Sequence, residues 1–243
     1  MTIEQALGQV RERVAQAALR VGRQPSEVRL VAVSKTFPAQ AVREAIDAGQ
    51  RDFGENRVEE ALPKMAAPEI ISAGQTAHWH LIGHVQSRKA KEVVGAFDLI
   101  HSIDSLKLAQ TLDRRASLLP EPPVVRVLLE CNVSGEASKE GFDVSNWQSD
   151  PAVFDHFARE VGLLLMLPNI EVNGLMTMAP IVDQPEQARP IFAQLRALRD
   201  ALCERHPEAD WSQLSMGMSD DFEAAIAEGS TMVRIGRAIF GTR

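Results

Sequence analysis

Apolar residues at Ile3, Leu7, Val10, Val14 and Ala18 recur at steps of three and four among acids and bases. That period lines one face of a helix, so the chain is expected to open on an amphipathic helix. Beyond it, short apolar runs alternate with helical patterns. The runs fall at 29–34, 51–54, 78–83, 99–103, 124–132, 170–176, 213–216 and 231–235. Helical stretches lie at 39–48, 57–65, 88–94, 106–118, 153–164, 186–205 and 221–228, with a last short segment at 237–240. Eight strands alternating with helices predict an α/β protein: a single (β/α)8 TIM barrel spanning 1–243, with an extra N-terminal helix. An open doubly wound sheet would need a glycine-rich first turn, and Ser34-Lys35-Thr36-Phe37-Pro38 has no such pattern. One irregular stretch, 134–150, follows the fifth strand. A barrel would place it on the rim where active sites sit, either as a functional loop or as a solvated excursion.

Composition narrows the class. A chain of 243 residues, 45% apolar and 24% charged, can bury a core without cross-links. Its net charge of −7 leaves no broad basic surface for nucleic acid or an anionic membrane. The two cysteines, Cys131 and Cys203, make no disulfide framework. With an N-terminus that lacks the continuous apolar core of a signal peptide or membrane span, they point to the cytoplasm. The chain contains no tyrosine, which closes any mechanism that needs a phenol.

Two cations stand out. Strand alternation puts Val31, Val33 and Lys35 on one face, so a barrel would hold a lysine at its mouth. Partial desolvation there favours the free amine that forms a Schiff base; the alternative is a rim lysine reaching water along its stem. Arg234 interrupts the apolar run of the eighth strand and shares a face with Met232. In a closed barrel that strand pairs with the first, which brings Arg234 to the same mouth as Lys35. The two cations would share an anionic ligand or lower the lysine pKa; alternatively Arg234 pairs with a carboxylate such as Glu55. Gly236 precedes a short helix, and the 214–219 loop supplies Gly217 and Ser219, a grouping suited to phosphate. Ser219 could instead cap the helix that follows.

Other motifs carry less. His78, His80 and His84 lack an accompanying carboxylate or cysteine cluster, so they are read as structural or pocket-lining residues and no metal is expected. The bases in 86–91 read as a solvated helix start. Cys131 ends an apolar strand and reads as core or pocket wall.

AVSKT around Lys35, FGEN ending at Asn56, WHLIGHVQ through Gln86, NGLMTMAP, LSMGMSDD and STMVRIGRAIFG occur in this order along the chain. Together they resemble the pyridoxal phosphate homeostasis proteins. The resemblance implies a barrel similar to the N-terminal domain of alanine racemase, carrying pyridoxal 5′-phosphate (PLP) as a Schiff base on Lys35. It further implies that Arg234 faces the pyridine nitrogen and that Ser219 and the backbone of Gly236 and Arg237 hold the phosphate. Asn56 and His80 would line the cofactor pocket. Arg57 and Arg237 depart from the family pattern, which commonly has a tyrosine and a small hydroxyl residue at those positions.

The expected role is intracellular PLP homeostasis by a monomer without robust catalysis, with apo PLP-dependent enzymes as recipients. A weak PLP-dependent amino-acid racemase is the second reading, and a PLP-free Schiff-base lyase the third. Alanine racemases use a tyrosine from a second domain; this chain has no tyrosine and no length for that domain after the eighth strand. A guanidinium beside the pyridine nitrogen also disfavours protonating it, which weakens the ring as an electron sink. The lyase would need a general acid near Lys35, and the sequence names none.

Overall fold

The computed structural model describes residues 1–74, 76–136 and 139–241. Its strands are β1 (Arg29–Val33), β2 (Asp52–Glu55), β3 (His78–Leu81), β4 (Leu99–Ile103), β5 (Val125–Asn132), β6 (Phe142–Asp143), β7 (Ile170–Met176), β8 (Gln213–Ser215) and β9 (Met232–Ile235). Every pairing is parallel, and the order β1-β2-β3-β4-β5-β7-β8-β9 returns to β1. The eight-stranded TIM barrel expected from the alternation is therefore closed, with helices outside it. β6, in the stretch after β5, was not anticipated. It pairs with Cys131 and Asn132 and folds that stretch back over the top of β5. Residues 137 and 138 of the stretch lie outside the described residues.

Strand alternation divides the core into an inside and an outside. Val31, Leu99, Leu128, Met176 and Met232 pack together within the barrel. Ala32, Phe53, Val233 and Ile235 face outward and meet the N-terminal helix Ile3–Arg20 through Leu7, Val10 and Val14. That helix starts on Thr2, whose hydroxyl accepts from the Gln5 N–H while the Gln5 side chain caps the Thr2 N–H. On the far side, helices Leu106–Ala116, Pro151–Leu165 and Arg189–Arg205 cover β4, β5 and β7.

The helices differ from the expected ones in two places. The 88–94 stretch divides into a 3-10 turn, Ser87–Lys89, and one turn of α-helix, Ala90–Val93. Pro68–Ile71 forms a four-residue helix, too short for a period to reveal. No helix among the described residues is long and apolar enough to cross a membrane.

Candidate functional site

Towards the strand C-terminal ends, beyond the apolar layer of Val31, Leu99, Leu128, Met176 and Met232, the buried residues include Glu130 and Arg234. β1 ends at Val33, and Ser34, Lys35 and Thr36 turn off it. One buried cluster holds this turn on both sides of Lys35. The Ser34 hydroxyl donates to Glu55 Oε1 at 2.6 Å, and Lys64 Nζ donates to the same oxygen at 2.5 Å and to the Ser34 carbonyl at 2.8 Å. Lys64 also meets Glu60 at 3.1 Å, and Glu60 accepts from the Thr36 N–H. Thr36 sits at φ 67°, a left-handed conformation that a β-branched residue adopts only when its surroundings impose it. Lys35 is half-buried between these anchored neighbours. Sequence reading missed Lys64 because a lysine on an amphipathic helix normally points to water.

Burial raises the Glu55 carboxyl pKa, against the lowering by its bonds to Lys64 and Ser34. Lys64→Met would leave that carboxylate buried without its partner. A loss of about 3–5 kcal/mol of folding stability is expected in urea melts, well beyond a surface substitution.

Arg234 lies across from Val31 in the β9–β1 register, on the inner face with Met232. The pairing with Glu55 does not occur, because Glu55 turns outward to Lys64 and Ser34. Instead Arg234 Nη1 donates to the Ser215 carbonyl at 2.8 Å and to Ser215 Oγ at 2.6 Å, while Nη2 donates to the Thr177 carbonyl at 3.0 Å. Burial lowers its pKa to about 10, with Glu130 and Asp221 opposing the shift. Of its five N–H groups, Nε and one proton of Nη2 make no hydrogen bond among the described residues. A buried guanidinium with spare donors and no carboxylate bonded to it has the chemistry to receive an acceptor-bearing ligand.

Glu130 is a second group that sequence reading passed over. It occupies the upper half of β5, only 4% exposed, and burial raises its carboxyl pKa to about 7 despite the attraction of Arg234. A raised carboxyl binds its proton more tightly folded than unfolded. Stability is thus full below the ordinary carboxylate pKa and is lost as pH rises through about 7. Glu130→Gln should remove this slope, stabilising the apo protein at pH 8 by up to about 3 kcal/mol and far less at pH 5. Denaturant melts at the two pH values read the difference.

Ser219 stands between β8 and the helix Phe222–Ala227. It is not that helix's N-cap: Asp221 is, and its carboxylate accepts from the Met218 N–H at 2.6 Å. Gly236 begins the short helix Arg237–Phe240, with its α-carbon against β1. A side chain there would put its Cβ 3.2 Å from the Val33 carbonyl oxygen, so glycine keeps this approach open. The Arg237 side chain turns to Asp220. Asn56 follows β2, and its backbone is crossed by Gly83, where a Cβ would lie 2.4 Å from the Asn56 carbonyl oxygen.

The histidines separate. His78 faces Asp98 at 3.6 Å, and His84 lies between Asp104 at 3.1 Å and Glu140 at 3.0 Å. No metal-holding group of three or more His, Cys, Asp or Glu occurs among the described residues. His80 departs from the position the resemblance implies. It is buried in the barrel and borders a cavity at the strand starts, with Asp52, Leu99 and Gln213, away from the Lys35 end. The reason is its place in β3: level with Gly54 and bonded to Asp52, the first residue of β2. Cys131 is buried, and burial pushes its thiol well above the usual range, which fits a wall residue.

A lysine and an arginine at the mouth of an eight-stranded barrel, beside a loop-and-glycine corner, define a fold class, and the chain matches its family profile. That profile is the alanine racemase N-terminal domain, and it covers residues 6–243. Pyridoxal phosphate homeostasis proteins of Escherichia coli and Aquifex aeolicus are 45% and 41% identical to the chain, each over 98% of it and over 95% and 96% of their own lengths. The structure of PipY from Synechococcus elongatus with PLP bound superposes with a TM-score of 0.77 at 38% identity, covering 96% of this chain and all of that one. Alanine racemase of Clostridium difficile, 14% identical with a TM-score of 0.64, shares the fold over 56% of its chain. The chain belongs to the pyridoxal phosphate homeostasis protein family.

Proposed function

We propose that this protein binds PLP on Lys35 and serves intracellular PLP homeostasis, holding and releasing the cofactor without robust turnover. The observation that carries the reading is Arg234: a buried guanidinium, braced by Ser215 and Thr177, with donors left for a ring nitrogen that accepts. Lys35 supplies the amine, and the clustered Ser34, Glu55, Lys64 and Glu60 fix the turn that presents it. Ser219 and the N–H groups of Gly236 and Arg237 are assigned to the phosphate, with Asn56 on the pocket wall. PLP contributes an aldehyde that condenses with an amine and a ring that withdraws electrons when its nitrogen is protonated. Arg234 stays charged at physiological pH and offers only donors, so it favours the unprotonated nitrogen and mutes that withdrawal. The chain also lacks tyrosine, the residue an alanine racemase sets against its lysine. Both features support holding over catalysis. Weak racemisation remains the alternative activity for the same pocket.

The reading places the protein in the cytoplasm as a monomer that exchanges PLP with apo enzymes, in keeping with two free cysteines. Borohydride reduction of the purified protein after PLP addition, followed by peptide mass mapping, is the direct test. A pyridoxyl adduct on Lys35 is expected. Absence of any adduct, or rapid racemisation of amino acids by the loaded protein, would overturn the proposal.

A further inference from the structure

Arg234 is the upper end of a continuous buried chain of side-chain hydrogen bonds. Nη1 of Arg234 donates to Ser215 Oγ at 2.6 Å, and Ser215 Oγ lies 2.8 Å from His101 Nδ1. His101 Nε2 lies 2.9 Å from His80 Nδ1, and His80 Nε2 lies 3.1 Å from Asp52 Oδ1. The chain thus runs from the last residue of β8, beside Arg234, through β4 and β3 to the first residue of β2. Ser215 and His101 are fully buried, and His80 is 1% exposed. Sequence reading named only one of these middle members, and for a different role.

The chemistry of the two ends sets the direction of every link. A guanidinium has no acceptor, so Ser215 Oγ must accept from Arg234. The single hydroxyl proton of Ser215 then has one acceptor among the described residues, His101 Nδ1. A neutral His101 with Nδ1 bare carries its proton on Nε2 and donates to His80 Nδ1. His80 in turn carries its proton on Nε2 and donates to the Asp52 carboxylate. The opposite polarity would strand the serine proton and set a bare ring nitrogen against a carboxylate. Both rings must also be neutral, because a cation would present two protonated nitrogens and break the sequence. Burial lowers the pKa of His101 well below the usual range, and the Arg234 and Arg29 cations push the same way. At the other end Asp52 has Arg29 at 3.8 Å as well as His80.

We infer that Ser215, His101, His80 and Asp52 are positioning residues for Arg234, joined in a one-way donor chain that couples the cavity at the strand starts to the cofactor end of the barrel. The coupling to PLP rests on the proposed role of Arg234; the polarity of the chain does not. The cavity bordered by His80 and Asp52 has a volume of about 470 Å³ and also admits Arg29, Arg51, His78, Asp98 and Arg126. The lower end of the chain is therefore within reach of solvent while its middle is sealed.

Nitrogen NMR of the histidine rings in the 243-residue apo protein tests the chain without any cofactor. At about pH 8, above the ordinary imidazole pKa, each ring is expected to carry a single proton, on Nε2. Either ring found cationic or protonated on Nδ1 in wild type overturns the inference. Variants test the coupling. Asp52→Leu removes the terminal acceptor, so the His80 signals and then those of His101 should leave the Nε2–H form. PLP should bind about tenfold more weakly. Asp52→Asn retains a carbonyl acceptor and should restore both the ring signals and the affinity to within about twofold of wild type. Loss of the Nε2–H form in Asp52→Leu with unchanged PLP affinity would refute the coupling. If wild type bound no PLP while both rings showed the expected protons, the functional reading would fall and the chain would stand as the support of Arg234.

Discussion

Lys35→Ala is expected to abolish the visible absorbance that wild-type protein acquires on addition of PLP, while far-ultraviolet circular dichroism stays that of a folded α/β protein. The loss should be complete, because only an amine can condense with the aldehyde and alanine offers none. The fold should survive because Lys35 lies two residues beyond the end of β1 and belongs to none of the apolar clusters that hold the barrel. The anchors of its turn are the side chains of Ser34 and Lys64 and the backbone of Thr36, all retained in the variant. Adding free methylamine separates two causes of lost colour. Lysine loss from an intact pocket permits partial recovery, whereas a collapsed pocket permits none. Persistence of the band in Lys35→Ala would mean that another lysine carries PLP.

The second large effect concerns phosphate. Pyridoxal, which lacks it, should bind at least about a hundredfold more weakly than PLP, since two forfeited charge-assisted hydrogen bonds at ~1.5–3 kcal/mol each reach that factor. Ser219→Ala should weaken PLP about tenfold and leave pyridoxal nearly unchanged, because the proposal assigns the hydroxyl to the phosphate alone. Fluorescence titrations with both aldehydes, in both proteins, supply the four affinities. Equal affinity for the two aldehydes in wild type would remove the phosphate site from this corner.

The two predictions differ in how far the sequence alone could carry them. Strand alternation gave Val31 and Lys35 the same parity, and Val31 does face the interior, while Lys35 lies in the turn two residues beyond the end of β1. The same rule placed Arg234 beside Met232. Closure brought the two strands together, as β1 pairs with β9. Ser219 was left between two roles by the sequence, and the structure removes one by giving the helix cap to Asp221.

Strand and helix periods, the eight-fold alternation and the inward face of Arg234 were legible because each depends on side-chain direction along one element, which recurs at a fixed step. What tertiary structure decided is the set of partners between elements: Glu55 with Lys64, and Arg234 with Ser215, His101, His80 and Asp52. A single polar residue in an apolar strand shows that something must satisfy it, since an unpaired buried polar group is costly. It does not show what. Only the register and closure of the barrel bring a histidine of β4 to a serine of β8, and spacing along the chain holds no trace of that meeting. The same closure turned His80 from an expected pocket wall into the middle of a chain that ends at the opposite mouth.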